Sequence, residues 1–186
     1  METIGKFSFV ETQINGVIII EPHLNEDGRG YFMEAFHYET FQEVGIDMKI
    51  MQVNMSKSKQ GVLRGLHYQK KYPQAKLVRV IKGEIFDVAV DLRNDSTTYG
   101  KWVGVNLSKD NNRQLYIPRG CAHGFLVLSE EAEFLYLVDD IYHPEDEGGI
   151  LWNDPELDIK WPMMGIKELS LSDKDKGLLS LKNNKI

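Results

Sequence analysis

The feature that most constrains this chain is a succession of short apolar runs cut by turn clusters, with almost no room for helices between them. "GVIIIEP" is a continuous β-branched run closed by proline, the pattern of a strand buried on both faces. "KLVRVIKGEIFDVAVDL" reads as two strands joined at Lys82-Gly83 by a tight hairpin, with glycine supplying the positive φ. In the second of these, Ile85, Asp87, Ala89 and Asp91 share one face, and Phe86, Val88, Val90 and Leu92 share the other. "KWVGVNLS", "RQLYIP", "GFLVLS" and "AEFLYLVDD" continue the series, separated by "RNDSTTYG", "SKDNNR" and "SEEAE". Only 37–45 ("HYETFQEVG") and 170–181 ("SLSDKDKGLLSL") carry a helical pattern. Short strands at near-regular spacing without alternating helices predict an all-β sandwich or barrel.

Length and charge narrow the function. A chain of 186 residues, with no repeat and no linker, predicts a single domain over 1–186. The formal charge of −6 argues against a sequence-independent nucleic-acid binder, because no basic excess neutralises phosphates. The single cysteine, Cys121, leaves no intrachain disulfide framework and suits a reducing compartment. No apolar run has the length of a signal peptide core or a membrane span, so the expectation is a cytoplasmic protein without membrane contact.

His67 poses the functional question. An imidazole at a strand end is a metal ligand, a proton-transfer base or a hydrogen-bonded core group. The segments around His67 and "IPRGCAHGF" resemble the cupin version of the jelly roll, the double-stranded β-helix, here with short peripheral helices. A metal-binding cupin brings two histidines one residue apart, an acid a few residues on, and a third histidine from P-x-G-x-x-H. Pro118, Gly120 and His123 match the last part, but Gln69 stands where the second histidine belongs and "KKYPQAK" offers no carboxylate. Two imidazoles without an anionic ligand fall short of the usual three protein ligands, so no metal is expected. What remains is positive charge and a titratable base: Arg64, His67 and Lys76, with Tyr136 from a later strand and Asp173 from the tail.

Each of these residues also has a structural reading. His123 begins a buried strand, where core satisfaction and function weigh nearly equally. Tyr136, at period two with Phe134 and Val138, is by composition a core tyrosine. Asp87 in an apolar strand needs partners, and the pocket histidines are the candidates. Lys70 and Lys71 read as a solvated turn, and Trp152 and Trp161 as packing anchors.

"SKSKQGVLRGLHYQ", "PQAKLVRVIKGEIFDVAVDLR", "YGKWVGVNLS", "IPRGCAHGFLVLSE", "EFLY" and "GGILWNDPELDIKWP" together closely resemble the dTDP-4-dehydrorhamnose 3,5-epimerase family, in unchanged order from about Ile18 to Asp173. The resemblance implies a cofactor-independent, cytosolic, homodimeric jelly-roll isomerase of the branch that makes dTDP-L-rhamnose. Its substrate is dTDP-4-dehydro-6-deoxy-D-glucose, inverted at C3 and C5. By matching motif, His67 of "RGLHYQ" is the base and Asp173 its orienting partner, with Asp175 two residues on as the alternative. Tyr136 is the acid on the other face, and Lys76 stabilises the enolate. Arg29, Glu34, Gln52, Asn54, Arg64, His123 and Glu147 match nucleotide-sugar contacts. The pattern departs at Val53, where Asp is common, at Leu137, where Lys is usual, and at Ser172, where Lys is frequent. The resemblance also implies a dimer, which we expect the N-terminal "FSFVETQING" to join through the partner's sheet. The alternatives are a single-centre epimerase of a dTDP-4-keto-6-deoxysugar, a non-catalytic sugar-binding cupin, and, against the ligand count, a metal dioxygenase.

Overall fold

The computed structural model describes residues 1–184. The strands are β1 (Glu2–Ile4), β2 (Phe7–Glu11), β3 (Ile18–Pro22), β4 (Asn25–Asp27), β5 (Gly30–Phe32), β6 (Gln52–Lys59), β7 (Leu63–Gln69), β8 (Lys76–Lys82), β9 (Glu84–Asp91), β10 (Trp102–Ser108), β11 (Gln114–Ile117), β12 (Cys121–Val127), β13 (Glu131–Val138) and β14 (Glu147–Gly149). They form a seven-stranded sheet in the order β1-β2-β3-β11-β8-β13-β6, a five-stranded sheet in the order β10-β9-β12-β7-β14, and a separate β4-β5 hairpin. This is the all-β sandwich expected from the strand pattern, in the jelly-roll form that the cupin resemblance implied.

The two sheets pack face to face over one apolar layer. Val78, Val80, Leu115, Ile117 and Phe134 come from the larger sheet, and Ile85, Ala89, Val105, Leu107, Phe125 and Val127 from the smaller. Alternation along each strand sends the other side chains outward. Those of the smaller sheet are covered by the C-terminal segment, where Leu157, Ile159, Trp161 and Leu181 meet Val88, Val90 and Leu126. Those of the larger sheet meet Phe41, whose ring lies edge-on to Phe7 and Phe9. The smaller sheet is thus apolar on both faces, which is why β9 and β12 read as nearly unbroken apolar runs. Both faces of β3 also meet apolar clusters, although Ile18 and Ile19 stay partly exposed. Trp161 donates its indole N–H to the Trp152 carbonyl at 2.9 Å, so the two tryptophans anchor packing as the sequence suggested.

Several local expectations need correction. Lys82-Gly83 does not close a hairpin: β8 pairs with β11 and β13, whereas β9 pairs with β10 and β12. The chain passes there from one sheet to the other. Gly83 is required for that passage, because φ is +79° and a Cβ would lie 2.1 Å from the Glu131 carbonyl oxygen. The helix expected over 37–45 is α1 (Tyr38–Glu43), capped by the His37 imidazole. The tail expected to be helical over 170–181 contains one turn, α2 (Asp173–Lys176), because Ser170 and Leu179 on either side are held in β-bridges to Val62 and Ile150. The strand expected to enter a partner's sheet, β2, pairs with β3 of its own chain, where Phe7 and Phe9 pack on Phe41. Among the described residues no helix is long and apolar enough to cross a membrane.

Candidate active site

A cavity of about 630 Å³ opens between the sheets, and eight of the ten residues singled out from sequence outside the tail line it. Arg64 and His67 come from β7, Lys76 from β8, His123 from β12, Tyr136 from β13, Gln52 and Asn54 from β6, and Glu147 from β14. His67 lies opposite His123 on β12 and opposite Gly149 on β14. The backbones of β7 and β12 come close at this point: a Cβ on Gly65 would stand 2.6 Å from the His123 carbonyl oxygen.

The His67 ring is fixed from the tail. Its Nε2 lies 2.5 Å from Asp175 Oδ1, in a carboxylate that is almost wholly buried. Ser172 donates its hydroxyl to Asp175 Oδ2 at 2.9 Å and accepts the Asp175 backbone N–H at 3.1 Å. Burial pushes the Asp175 carboxyl up, but the bonds from His67 and Ser172 outweigh it and hold the group below the ordinary carboxylate range. With Nε2 engaged, Nδ1 is the nitrogen left for chemistry, and Glu147 Oε1 lies 3.6 Å from it.

Asp173 is therefore not the partner of His67. It begins α2 with its side chain fully in solvent, paired with Lys176 at 3.1 Å. The reason is helical phase. Ser172 is the N-cap, so Asp173 is the first helical residue and points away, while Asp175, the third, turns back onto the cap. The S-x-x-D spacing of Ser172 and Asp175 is the capping-box pattern, and it was available in the sequence to choose between the two acids.

Tyr136 faces inward beside Phe134, opposite Asn54 on β6 and Val78 on β8. Burial raises its phenol pKa, and the Arg64 charge works against that rise. Desolvation pushes the Lys76 ammonium down, opposed by Asp87 and Glu147. Asp87, the carboxylate that needed a partner, is fully buried with both oxygens 2.9–3.0 Å from His123 Nε2. Burial lowers the His123 pKa despite that carboxylate, which favours the neutral ring with Nε2–H donating to Asp87. Arg64 donates to Ser58 Oγ at 3.1 and 3.3 Å, and Gln52 donates to Asn54 Oδ1 at 2.7 Å.

Two expected contacts stand off the cavity. Arg29, at the β4-β5 turn, is exposed and paired with Asp27, and Glu34 is bound to Lys6. The polar wall residues that the sequence did not single out include Gln74, Tyr142 and Lys174. They sit in loops or in the single turn of α2, where no periodicity marks them. Among the described residues, no three His, Cys, Asp or Glu side chains come together in a way that could hold a metal ion.

A jelly roll with an oriented imidazole on one sheet and a phenol and an ammonium on the other defines a cupin-type protein with an acid–base pocket. The model of the dTDP-4-dehydrorhamnose 3,5-epimerase family matches residues 11–183, and the chain belongs to that family. It is 51% identical over 182 residues to the dTDP-4-dehydrorhamnose 3,5-epimerase of Methanothermobacter thermautotrophicus, covering 98% of both chains. Its fold matches the crystal structure of the enzyme of that name from Elizabethkingia anophelis with a TM-score of 0.93 and 45% identity, covering 98% of this chain and 100% of that one. It matches the dTDP-6-deoxy-D-glucose-3,5-epimerase of Legionella pneumophila, solved with dTDP-4-keto-L-rhamnose, with a TM-score of 0.91 and 48% identity over 95% and 94% of the two chains.

Proposed function

We propose that this chain, acting as one domain, inverts C3 and C5 of dTDP-4-dehydro-6-deoxy-D-glucose to give dTDP-4-dehydro-L-rhamnose, in dTDP-L-rhamnose synthesis. One observation carries the reading. His67 and Tyr136 border the same cavity from strands of opposite sheets. Packed sheets stand ~10 Å apart, which leaves room for one sugar ring with a base on one side and an acid on the other.

The chemistry follows from the ketone at C4, which acidifies the hydrogens on C3 and C5. His67, oriented by Asp175, takes the proton through Nδ1, and the C–H electron pair moves into an enolate. Lys76 stabilises the enolate oxygen as a fixed cation in a partly dry site. Tyr136 then returns a proton from the opposite face, and the configuration inverts. His123 with Asp87, Arg64, Gln52, Asn54 and Glu147 supply further contacts to the nucleotide sugar. The scheme uses no cofactor.

The reading includes a homodimer in the cytoplasm. Arg29 and Glu34 reach the nucleotide sugar only if a second copy presents them, since they stand off their own cavity. Met51, just before β6, and Val53 and Met55 on it lie exposed at the unpaired edge of the larger sheet and offer an apolar surface for that copy. Sedimentation at micromolar concentration checks the assembly, and a monomer removes this part of the reading. Proton NMR of dTDP-4-dehydro-6-deoxy-D-glucose with the protein in deuterated water tests the reaction. Exchange at both C3 and C5 is expected. Exchange at one carbon identifies a single-centre epimerase, and exchange at neither leaves a sugar-binding cupin.

A further inference from the structure

Each inversion creates a problem that the base and the acid cannot solve between them. His67 ends with the substrate's proton on Nδ1, and Tyr136 ends as a phenolate. Neither can act again until His67 has lost that proton and Tyr136 has regained one, and the sugar ring lies between them. We propose that Glu147 and Tyr142 carry that proton around the rim of the cavity, resetting His67 and Tyr136 after each inversion. The inference rests on the epimerase reading above and adds a route to it.

The geometry supplies the links from His67 to Tyr142 and places Tyr142 on the wall that carries Tyr136. Glu147 Oε1 is 3.6 Å from His67 Nδ1, an ion-pair distance that a small approach or one water closes. The other carboxylate oxygen, Oε2, accepts hydrogen bonds from the Tyr142 hydroxyl and from Lys174 Nζ. Tyr142 is tethered to the wall that carries Tyr136. Its backbone N–H donates to Gln52 Oε1 at 3.0 Å, Gln52 donates to Asn54, and Asn54 lies directly opposite Tyr136 in the sheet. All of these side chains line the one cavity.

The step balances. The Nδ1–H of the imidazolium passes to Glu147 Oε1, leaving neutral His67 and a carboxylic acid. Tyr142 gives its hydroxyl proton to the Tyr136 phenolate. Rotation of the Glu147 carboxyl about Cγ–Cδ then presents its proton to the Tyr142 oxygen and restores the starting state. The transfer runs downhill, because an imidazolium (~6.5) is ordinarily a stronger acid than a phenol (~10). The resting charges suit the route as well. Burial pushes the Glu147 carboxyl up, but Lys174, Tyr142 and His67 hold it below its ordinary value, so it waits ionised and does not retain the proton. The bond to Glu147 pushes the Tyr142 phenol up to about 12, so its proton is in place when Tyr136 needs one.

Tyr142→Phe keeps the ring and removes the hydroxyl. Rapid-quench kinetics with substrate in several-fold excess over the protein count the inversions by NMR. The wild type should turn over linearly. Tyr142→Phe should give a burst of one inversion per site, followed by a phase slowed at least ~10-fold. Added imidazole buffer should accelerate that slow phase and leave the burst unchanged. Glu147→Gln, which also loses a sugar contact and so has a slower first inversion, should still stop after one inversion per site and show a later phase that imidazole accelerates. Uniform slowing without a burst, or a slow phase that imidazole does not change, overturns the relay while leaving the epimerase intact. A wild type that inverts nothing removes the epimerase reading itself, a distinct result.

Discussion

Asp175 Oδ1 lies 2.5 Å from His67 Nε2, although 108 residues of chain separate them. This one contact fixes which imidazole nitrogen faces the cavity, and it singles out the acid that matters in a tail containing two. Asp175→Asn should lower kcat by ~10²-fold or more, because the amide no longer stabilises the imidazolium. Asp173→Asn should stay within about twofold, as an exposed change away from any buried partner. Steady-state kinetics on the two variants check both values, and equal losses would return Asp173 to the site.

The opposed placement of His67 and Tyr136 separates two measurable events. His67→Ala should abolish deuterium exchange at both carbons, since no enolate forms, with a loss of ~10²–10⁴-fold. Tyr136→Phe leaves the base in place, so deuterium should enter with little inversion. A silent Tyr136→Phe would make this residue a core tyrosine only.

Asp91 is a structural counterpart to the site acids. It is fully buried and accepts from Arg93 at 2.8 Å, Ser96 at 2.6 Å and Thr98 at 2.6 Å, tying down the turn after β9. Burial pushes its carboxyl up, but these donors prevail and hold it well below the ordinary carboxylate range. A group whose pKa falls on folding stabilises the fold fully above its unfolded value of ~3.9, and that stabilisation fades as the pH drops below it. Asp91→Asn should therefore cost on the order of 2 kcal/mol at neutral pH, with the gap to wild type narrowing below pH ~4. Urea unfolding across that range is the measurement. A pH-independent difference would show that packing, not charge, is what the substitution removes.

Gly83 marks the passage between the sheets, and Gly28 offers a control. Gly83→Ala meets both a left-handed backbone and the Glu131 carbonyl, so a loss of about 1–3 kcal/mol is expected. Nothing lies within 4 Å of the position a Cβ on Gly28 would take, and Gly28→Ala should stay within ~0.5 kcal/mol. Denaturant midpoints compare the two.

The sequence by itself determined the strands, the absence of long helices and the residue types of the site. Period-two alternation and turn chemistry act over a few residues, so β3, β8 to β13 and the positions of Lys76, His123 and Tyr136 along them were legible locally, whereas β6 and β7, with few apolar residues in alternation, were not read as strands. Which sheet a strand joins is another matter. β8 and β9 look like a hairpin from within, and only pairing with β11, β13, β10 and β12 assigns them to different sheets. The same holds for the site. Helical phase set by the Ser172 cap turned Asp175 inward and Asp173 outward, Arg29 left with a hairpin that leads away from its own cavity, and Tyr142 from a loop and Lys174 from the single turn of α2 reached Glu147 without any periodic signal. Local pattern fixes which way a side chain points from its strand. Only the closure of two sheets over a common core decides what it points at.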